Sequence, residues 1–78
     1  MDIKETKRER FMRIAESRTN KIIDMIELLG NCSNRGTYEY SKEDVKKIFA
    51  AIETELKNAK ARFEIADSEG KEKKFTLR

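Results

Sequence analysis

One short segment, residues 30–41 ("GNCSNRGTYEYS"), holds most of the residue types that could carry unusual chemistry. It contains the one cysteine, both tyrosines and two of the three glycines of the 78-residue chain. A thiol acts as a nucleophile when a neighbouring base or positive charge favours the thiolate. The nearest charged neighbour of Cys32 in sequence is Arg35, and a guanidinium cannot accept a proton. We therefore interpret Cys32 as a turn residue and predict no catalytic role for it.

The same segment could bind an anion through a nest of backbone N–H groups, with Arg35 assisting. However, no lysine follows Gly36, so the spacing departs from that of a P-loop. Glycine is also typical of turns that need a positive φ. We favour a structural closure, in which Gly30 ends a helix with a positive φ and Gly36 allows a second turn. Tyr38 and Tyr40 would then cover an apolar helix end.

Positive charge concentrates near the N-terminus. Residues 1–21 hold seven basic and four acidic residues, a net charge of +3, which equals the net charge of the whole chain. A basic helical segment can contact phosphates, and nucleic acid is the usual polyanion. The ordinary alternative is a solvated helix face, because acidic residues are interleaved with the basic ones. The candidate phosphate contacts are Lys4, Lys7, Arg8, Arg10 and Arg13.

The residue inventory argues against an enzyme or a metal protein. The chain has no histidine, so the commonest general base is absent. One cysteine cannot form a disulfide within the chain, and it leaves no set of about four nitrogen and sulfur ligands for zinc. We therefore predict no catalytic residue, no cofactor and no metal site.

The elements that carry these residues are expected to be helical. A first helix is predicted from about residue 4 to residue 29, because apolar residues recur there at steps of three and four. The residues of this apolar face are Phe11, Ile14, Ala15, Ile22, Met25, Ile26 and Leu29.

A second helix is predicted over about residues 42–66, with a well-marked start. Ser41 is a good N-cap, and Glu43 and Asp44 place negative charge in the first turn. Asp44 occupies the position where Glu or Gln would complete a capping box, so that match is partial. Tyr40 and Val45 have the spacing of a hydrophobic staple.

The second helix carries the most regular pattern in the sequence. Its apolar residues alternate steps of four and three over about three heptads, which is typical of a coiled-coil seam. The predicted helix-packing residues are Val45, Phe49, Ile52, Leu56, Ala59 and Phe63, and the pattern continues to Ala66.

Two helices joined by a short polar connection predict an all-α fold, an antiparallel two-helix hairpin over residues 1–66 with a loop at 30–41. Charged residues make up 42% of the chain, which leaves few residues for a core. A chain this short gains little from its own core, so we expect hairpins to self-associate into a helical bundle. Residues 67–78 lack a helical period, and we expect them to form a flexible charged tail.

The sequence predicts a cytoplasmic protein without a membrane partner. The N-terminus is charged from residue 2 and lacks the apolar run of a signal peptide. The most apolar run, "IIDMIELLG", is short and contains two acidic residues, so it cannot span a bilayer. A lone cysteine suits a reducing compartment.

The residues 10–63 resemble a group of small uncharacterised helical proteins carried on conjugative transposons and plasmids of Gram-positive bacteria. The resemblance lies in "RTNKI", "LLGNCSNRGTYEYS" and "VKKIFAAIETEL", and the ending "KKFTL" also fits. It brings no catalytic residue. It implies a bacterial cytoplasmic setting and an accessory role in maintenance or transfer of the mobile element.

The leading functional hypothesis is a non-enzymatic helical interaction module that forms a homo-oligomer and recognises a protein partner through its helix faces. The alternative is an accessory protein that binds nucleic acid through the basic half of the first helix. The salt dependence of binding distinguishes the two hypotheses, because affinity that rests on phosphate contacts falls steeply as the salt concentration rises.

Overall fold

The computed structural model describes the backbone of residues 4–72 and the side chains of residues 4–68. The described chain contains two α-helices, α1 (Lys7–Asn31) and α2 (Lys42–Glu72), and residues 4–72 contain no strand. The all-α prediction with two helices is therefore confirmed. The chain divides into two units, Met1–Glu39 and Tyr40–Arg78, and each contains one helix.

Helix α1 begins three residues later than predicted, at Lys7. The reason is a complete capping box at Thr6, which has extended backbone angles. The Thr6 hydroxyl oxygen accepts a hydrogen bond from the Glu9 backbone N–H at 3.0 Å, and the Glu9 carboxylate accepts one from the Thr6 N–H at 3.0 Å. Two backbone N–H groups that the first turn would leave unpaired are thereby satisfied.

The end of α1 corrects the prediction for Gly30. The helix runs through Gly30 to Asn31, and no glycine of the described chain has a positive φ. The last turn instead tightens into i→i−3 hydrogen bonds. The Cys32 N–H donates to the Leu29 carbonyl at 2.9 Å, and the Ser33 N–H donates to the Gly30 carbonyl at 3.1 Å. Because these bonds already satisfy the terminal carbonyls, a left-handed glycine is not required.

Helix α2 begins at Lys42, as Ser41 and the acidic first turn predicted. The box that looked partial in sequence is complete in the structure. The Ser41 hydroxyl accepts the Asp44 N–H at 3.0 Å, while the Asp44 carboxylate accepts the Ser41 N–H at 2.8 Å. Aspartate thus takes the role in α2 that Glu9 has in α1. Tyr40 and Val45, the predicted staple pair, are both half-buried.

Helix α2 continues to Glu72, six residues beyond the predicted end at Ala66. Residues 67–72 contain no proline, and Gly70 costs only about 1 kcal/mol relative to alanine. Each added residue gains a hydrogen bond once a helix has been nucleated, so the helix extends through this polar stretch. The first half of the predicted tail is therefore helical. The rest of it, residues 73–78, lies outside the described residues.

Within residues 4–68, neither helix buries a side chain. Every side chain in that range is exposed or half-exposed, including the large apolar ones. Capping bonds and intrahelical ladders are among the stabilising contacts of the described chain. Since most helical stability in proteins comes from packing of an apolar face, these helices have apolar faces available for packing.

Candidate functional site

The longest candidate surface is the seam of α2. We define it as the predicted packing residues Val45, Phe49, Ile52, Leu56, Ala59 and Phe63, together with Ala66. All seven lie within Lys42–Glu72, so their spacing places them along one side of a helix about 46 Å long. The seam is continuous, and no charged residue occupies any of its seven positions.

The large residues of the seam present much of their surface to solvent. Phe49 is 44% exposed, Leu56 59% and Phe63 65%. Val45 and Ile52 are half-exposed. Aromatic and aliphatic side chains of this size gain about 1.5–3 kcal/mol each when they become fully buried. The seam therefore has a strong driving force to pack against another apolar surface.

The apolar face of α1 is a second candidate surface. It is broader than the seam, because Ile23 and Leu28 lie beside the stripe predicted from the sequence and are also exposed. Met25 is the most exposed of the large residues on α1, at 63%. The wide apolar arc at the C-terminal end of α1 can contact more than one neighbouring helix. The residues of the stripe are Phe11, Ile14, Ala15, Ile22, Met25, Ile26 and Leu29.

The N-terminal basic segment is shaped by one acidic residue, Glu5, which the sequence pattern did not single out. Its carboxylate receives two hydrogen bonds from the Arg13 guanidinium, at 2.7 Å from Nε and 2.9 Å from Nη2. Arg10 approaches the same carboxylate at 3.8 Å. Glu5 directly precedes the N-cap Thr6, and its carboxylate lies beside two arginines that are three residues apart on α1.

This ion pair changes the titration of both partners. The Arg13 hydrogen bonds lower the pKa of the Glu5 carboxyl; partial desolvation opposes the shift, and the positive charge of Arg13 adds to it. The same hydrogen bonds, with the negative charge of Glu5, raise the pKa of Arg13. The pair is thus charged at neutral pH, and the Glu5 carboxylate offsets part of the positive charge of Arg13.

The five predicted phosphate contacts therefore divide into two groups. Arg10 and Arg13 lie beside Glu5, whereas Lys4, Lys7 and Arg8 are exposed and make no ion pair with any residue in the range 4–68. Lys7 and Arg8 are the first two residues of α1. Those three residues are the part of the basic segment best able to meet a phosphate.

The loop between the helices uses its backbone N–H groups internally. Besides the two bonds that close α1, the N–H groups of Thr37 and Tyr38 donate to the Asn34 carbonyl at 3.1 and 2.9 Å. The Gly36 N–H donates to the Asn34 side-chain oxygen at 2.9 Å. An anion nest needs free, convergent N–H groups, so this geometry favours the structural closure over an anion site.

The geometry of the turn at Asn34 explains why residue 36 is a glycine. A Cβ atom at this position would lie 3.2 Å from Oδ1 of Asn34, which is the oxygen that accepts the Gly36 N–H. Glycine thus permits a close approach rather than a positive φ. Beyond the turn, Tyr38 is 51% exposed. The role of Tyr38 and Tyr40 as a cover for an apolar helix end stays a prediction.

Cys32 lies at the C-terminal end of α1 and is exposed and unpaired with another cysteine. Its Sγ is 4.0 Å from the Leu28 carbonyl oxygen, a weak contact. Reactive thiols are favoured at helix N-termini or beside cations, and Cys32 occupies the opposite end of a helix. This position agrees with the interpretation of Cys32 as a turn residue.

The capping box at the start of α1 has a recognisable sequence pattern. Thr6 and Glu9 match the S/T-x-x-E pattern of a capping box, and this pattern would have placed the helix start at Lys7. The contact between Glu5 and Arg13 had no comparable signal. It spans eight residues and depends on the direction in which the chain enters the helix.

Neither helix of the described residues combines the length and the hydropathy that a membrane span requires. The same residues contain no group of three His, Cys, Asp or Glu side chains placed to hold a metal ion. Comparison with protein-family models, with curated proteins and with solved structures finds no match to this chain.

Proposed function

We propose that the protein is a non-enzymatic helical interaction module, whose helix faces pack against other helices, including those of a second copy. The observation that carries this proposal is the exposure of the α2 seam, in which Phe49, Leu56 and Phe63 retain 44–65% of their surface in contact with solvent. A regular apolar stripe of this length is typical of helices that associate.

The magnitude of the driving force supports association. Five seam residues are large, and burial of each contributes about 1.5–3 kcal/mol when complete. Even with half of that surface already covered, the seam gains on the order of 5 kcal/mol per helix. Association of two chains costs about 4–15 kcal/mol in lost translational and rotational freedom. Two seams packed together gain on the order of 10 kcal/mol, which is comparable to that cost.

The finer arrangement proposed is a hairpin that dimerises into a helical bundle. Chain reversal within residues 32–41 would set Leu29 near Val45 and Ile22 near Ile52. In such bundles each helix directs its a and d residues to a common core and touches two neighbours. The additional apolar residues Ile23 and Leu28 would then face the second copy.

The test of this function is the concentration dependence of thermal unfolding. If the helices are stabilised by association, the midpoint Tm rises as protein concentration rises, because mass action favours the assembled state. Circular dichroism at 222 nm over a hundredfold range, from about 1 to 100 µM, measures it. A sharp transition with the same Tm at every concentration would refute the proposal.

A second candidate function is nucleic-acid binding. It is favoured by the exposed cluster of Lys4, Lys7 and Arg8 at the start of α1, which has no ion-pair partner among residues 4–68. Electromobility shift with mixed-sequence duplex DNA at several salt concentrations tests it. Loss of mobility at low salt with a steep salt dependence would support it, and unchanged mobility at the lowest salt would exclude it.

The resemblance described above motivates the biological setting that we propose for the module, as an accessory protein of a mobile genetic element in a bacterial cytoplasm. Co-purification of a tagged chain from a host that carries such an element would test this. Recovery of element-encoded proteins would support the setting, and recovery of the tagged chain alone would contradict it.

A further inference from the structure

Charged residues line both sides of the α2 seam in an alternating order. In heptad terms, the a positions are Phe49, Leu56 and Phe63, and the d positions are Val45, Ile52, Ala59 and Ala66. The flanking e positions then read Lys46, Glu53, Lys60 and Asp67, and the g positions include Glu55 and Arg62. On each flank the sign of the charge reverses from one heptad to the next.

This alternation makes the helix antisymmetric in charge about a point between residues 57 and 58. Reversing the helix about that point brings Glu53 close to the level of Lys60 and Glu55 close to the level of Arg62. It also brings Lys46 close to the level of Asp67. Each of these six charges thereby falls beside the place of an opposite charge. Five of these six side chains, all but Asp67, make no ion pair with any residue in the range 4–68.

We infer that two copies of α2 pack against each other in antiparallel orientation, with a two-fold axis between residues 57 and 58. This inference rests on the proposed function, since it names the partner surface of the seam. It is an alternative to the hairpin contact with α1, because e-to-e and g-to-g contacts occupy both flanks of the seam. Antiparallel helices bring e against e and g against g, so each of the three pairs becomes an attractive contact between copies. By the two-fold symmetry each contact occurs twice.

Two of the three apolar contacts of this arrangement join a large residue to a small one. Leu56 meets Ala59 of the second copy and Phe49 meets Ala66, whereas the third contact joins two large residues, Phe63 and Ile52. A large residue facing a small one fills a layer without overpacking it. The exposed seam residues Phe49, Leu56 and Phe63 are the ones that gain most.

The charges also select one register. Sliding one helix by a heptad in one direction places Lys60 opposite Lys60 of the second copy and Glu53 opposite Asp67. Sliding it the other way places Glu53 opposite Glu53 and Lys46 opposite Lys60. Like charges held opposite one another are destabilising. Of these three antiparallel registers, the two shifted ones place like charges opposite each other. The register centred between residues 57 and 58 pairs opposite charges at all three named contacts.

A parallel pair is the main competitor. It also joins opposite charges, Glu55 with Lys60 and Arg62 with Asp67, because parallel coiled coils pair g with the following e. However, it sets Phe49 against its own copy and Ala59 against its own copy, so oversized layers alternate with underfilled ones. Voids and overpacked layers are both destabilising, so the geometry favours the antiparallel pair.

Charge-reversal substitutions distinguish antiparallel packing of α2 from parallel packing. Lys60→Glu removes an attractive contact and creates a repulsive one in either orientation, twice per dimer. It should raise the dimer Kd on the order of tenfold. In the antiparallel pair the partner of Lys60 is Glu53, so Glu53→Lys/Lys60→Glu should restore the Kd to within about threefold of wild type.

The matched control is Glu55→Lys/Lys60→Glu, which has the same composition and net charge as the rescuing variant. Antiparallel packing predicts no rescue, because the lysine introduced by Glu55→Lys would then face Arg62. Parallel packing predicts rescue by this variant instead, and that result would overturn the inference. Rescue by neither double variant would also overturn it. The Kd is measured by sedimentation equilibrium at low salt, with helicity checked by circular dichroism.

The same experiment distinguishes a wrong orientation of the two helices from a wrong proposed function. If wild type forms dimers and the rescue pattern is wrong, association stands and only the antiparallel pairing falls. If wild type is monomeric at about 100 µM, a concentration at which a seam of this strength should associate, both the proposed function and this inference fall.

Discussion

Truncation of Leu56 tests the role of the α2 seam through one side chain. Leu56→Ala keeps high helix propensity, since alanine and leucine are among the best helix formers. The variant should therefore leave α2 helical and remove only apolar surface from the middle of the seam. Leu56 is at the centre of the proposed interface, where lost burial has the largest effect.

The magnitude follows from the exposure of the side chain. Leu56 is 59% exposed, and complete burial of a leucine contributes about 1.5–3 kcal/mol. The remaining exposed part is then worth about 1–2 kcal/mol per copy. A symmetric dimer contains two copies, so Leu56→Ala should weaken association by about 2–4 kcal/mol, a rise in Kd of roughly 30- to 1,000-fold.

Ile65 supplies the matched control on the same helix. It is 57% exposed, nearly equal to Leu56, but it lies outside the seam. Ile65→Ala should therefore leave the Kd within about threefold of wild type. Sedimentation equilibrium of both variants measures the difference. Equal effects of the two substitutions would show that association depends on general apolar content rather than on the seam, and would refute the reasoning.

The helix N-termini give three further predictions. Ser41→Ala removes the hydroxyl that accepts the Asp44 N–H at 3.0 Å and should destabilise α2 by about 1 kcal/mol, measured as a lower Tm; an unchanged Tm would contradict the cap. The lowered pKa of Glu5 means that its ion pair stabilises the folded chain above the ordinary carboxyl pKa and that this contribution disappears as pH falls through the lowered value; an NMR titration should show the Glu5 pKa returning upward in Arg13→Gln, and no change would exclude the pair in solution. If nucleic acid binds, Lys7→Gln/Arg8→Gln should reduce the salt slope by about 2, whereas Arg13→Gln should change it less because Glu5 already offsets part of that charge; equal effects per charge would contradict the grouping.

Much of α2 could be predicted from the sequence because its signals are local. Ser41 and Asp44 lie three residues apart, and their mutual hydrogen bonds need no contact from elsewhere in the chain. The seam likewise follows from helical periodicity alone. The sequence predicts an end of α2 at about Ala66, because the stretch that follows is polar and has no apolar period, but the helix continues to Glu72. Propagation of an established helix adds a hydrogen bond for each residue and needs no apolar period, and residues 67–72 contain no proline to interrupt it.

The end of α1 could not be predicted from Gly30 by itself. Glycine after an apolar run favours a left-handed C-cap, but the helix has a competing way to end. Its last carbonyls accept i→i−3 bonds from Cys32 and Ser33, and the choice between the two depends on the backbone path of the following turn. Asn34 fixes that path through its bonds to Gly36, Thr37 and Tyr38.

The candidate surfaces were partly predictable for a similar reason. The seam and the basic segment were identified from residue type and spacing. The division of the basic residues into two arginines beside Glu5 and three residues without an ion pair could not be predicted, because it depends on how Glu5 folds back over the first turns of α1. Side-chain contacts across eight residues require the three-dimensional path of the chain.

The most direct test of the central claim, that the helix faces of this protein pack against a second copy, is the molar mass of the wild-type chain in solution. Sedimentation equilibrium over a hundredfold range, from about 1 to 100 µM, gives that mass without labels or variants. We predict a concentration-dependent rise from the chain mass of 9.2 kDa to twice that value or more. A mass that stays at 9.2 kDa over the whole range would contradict the claim.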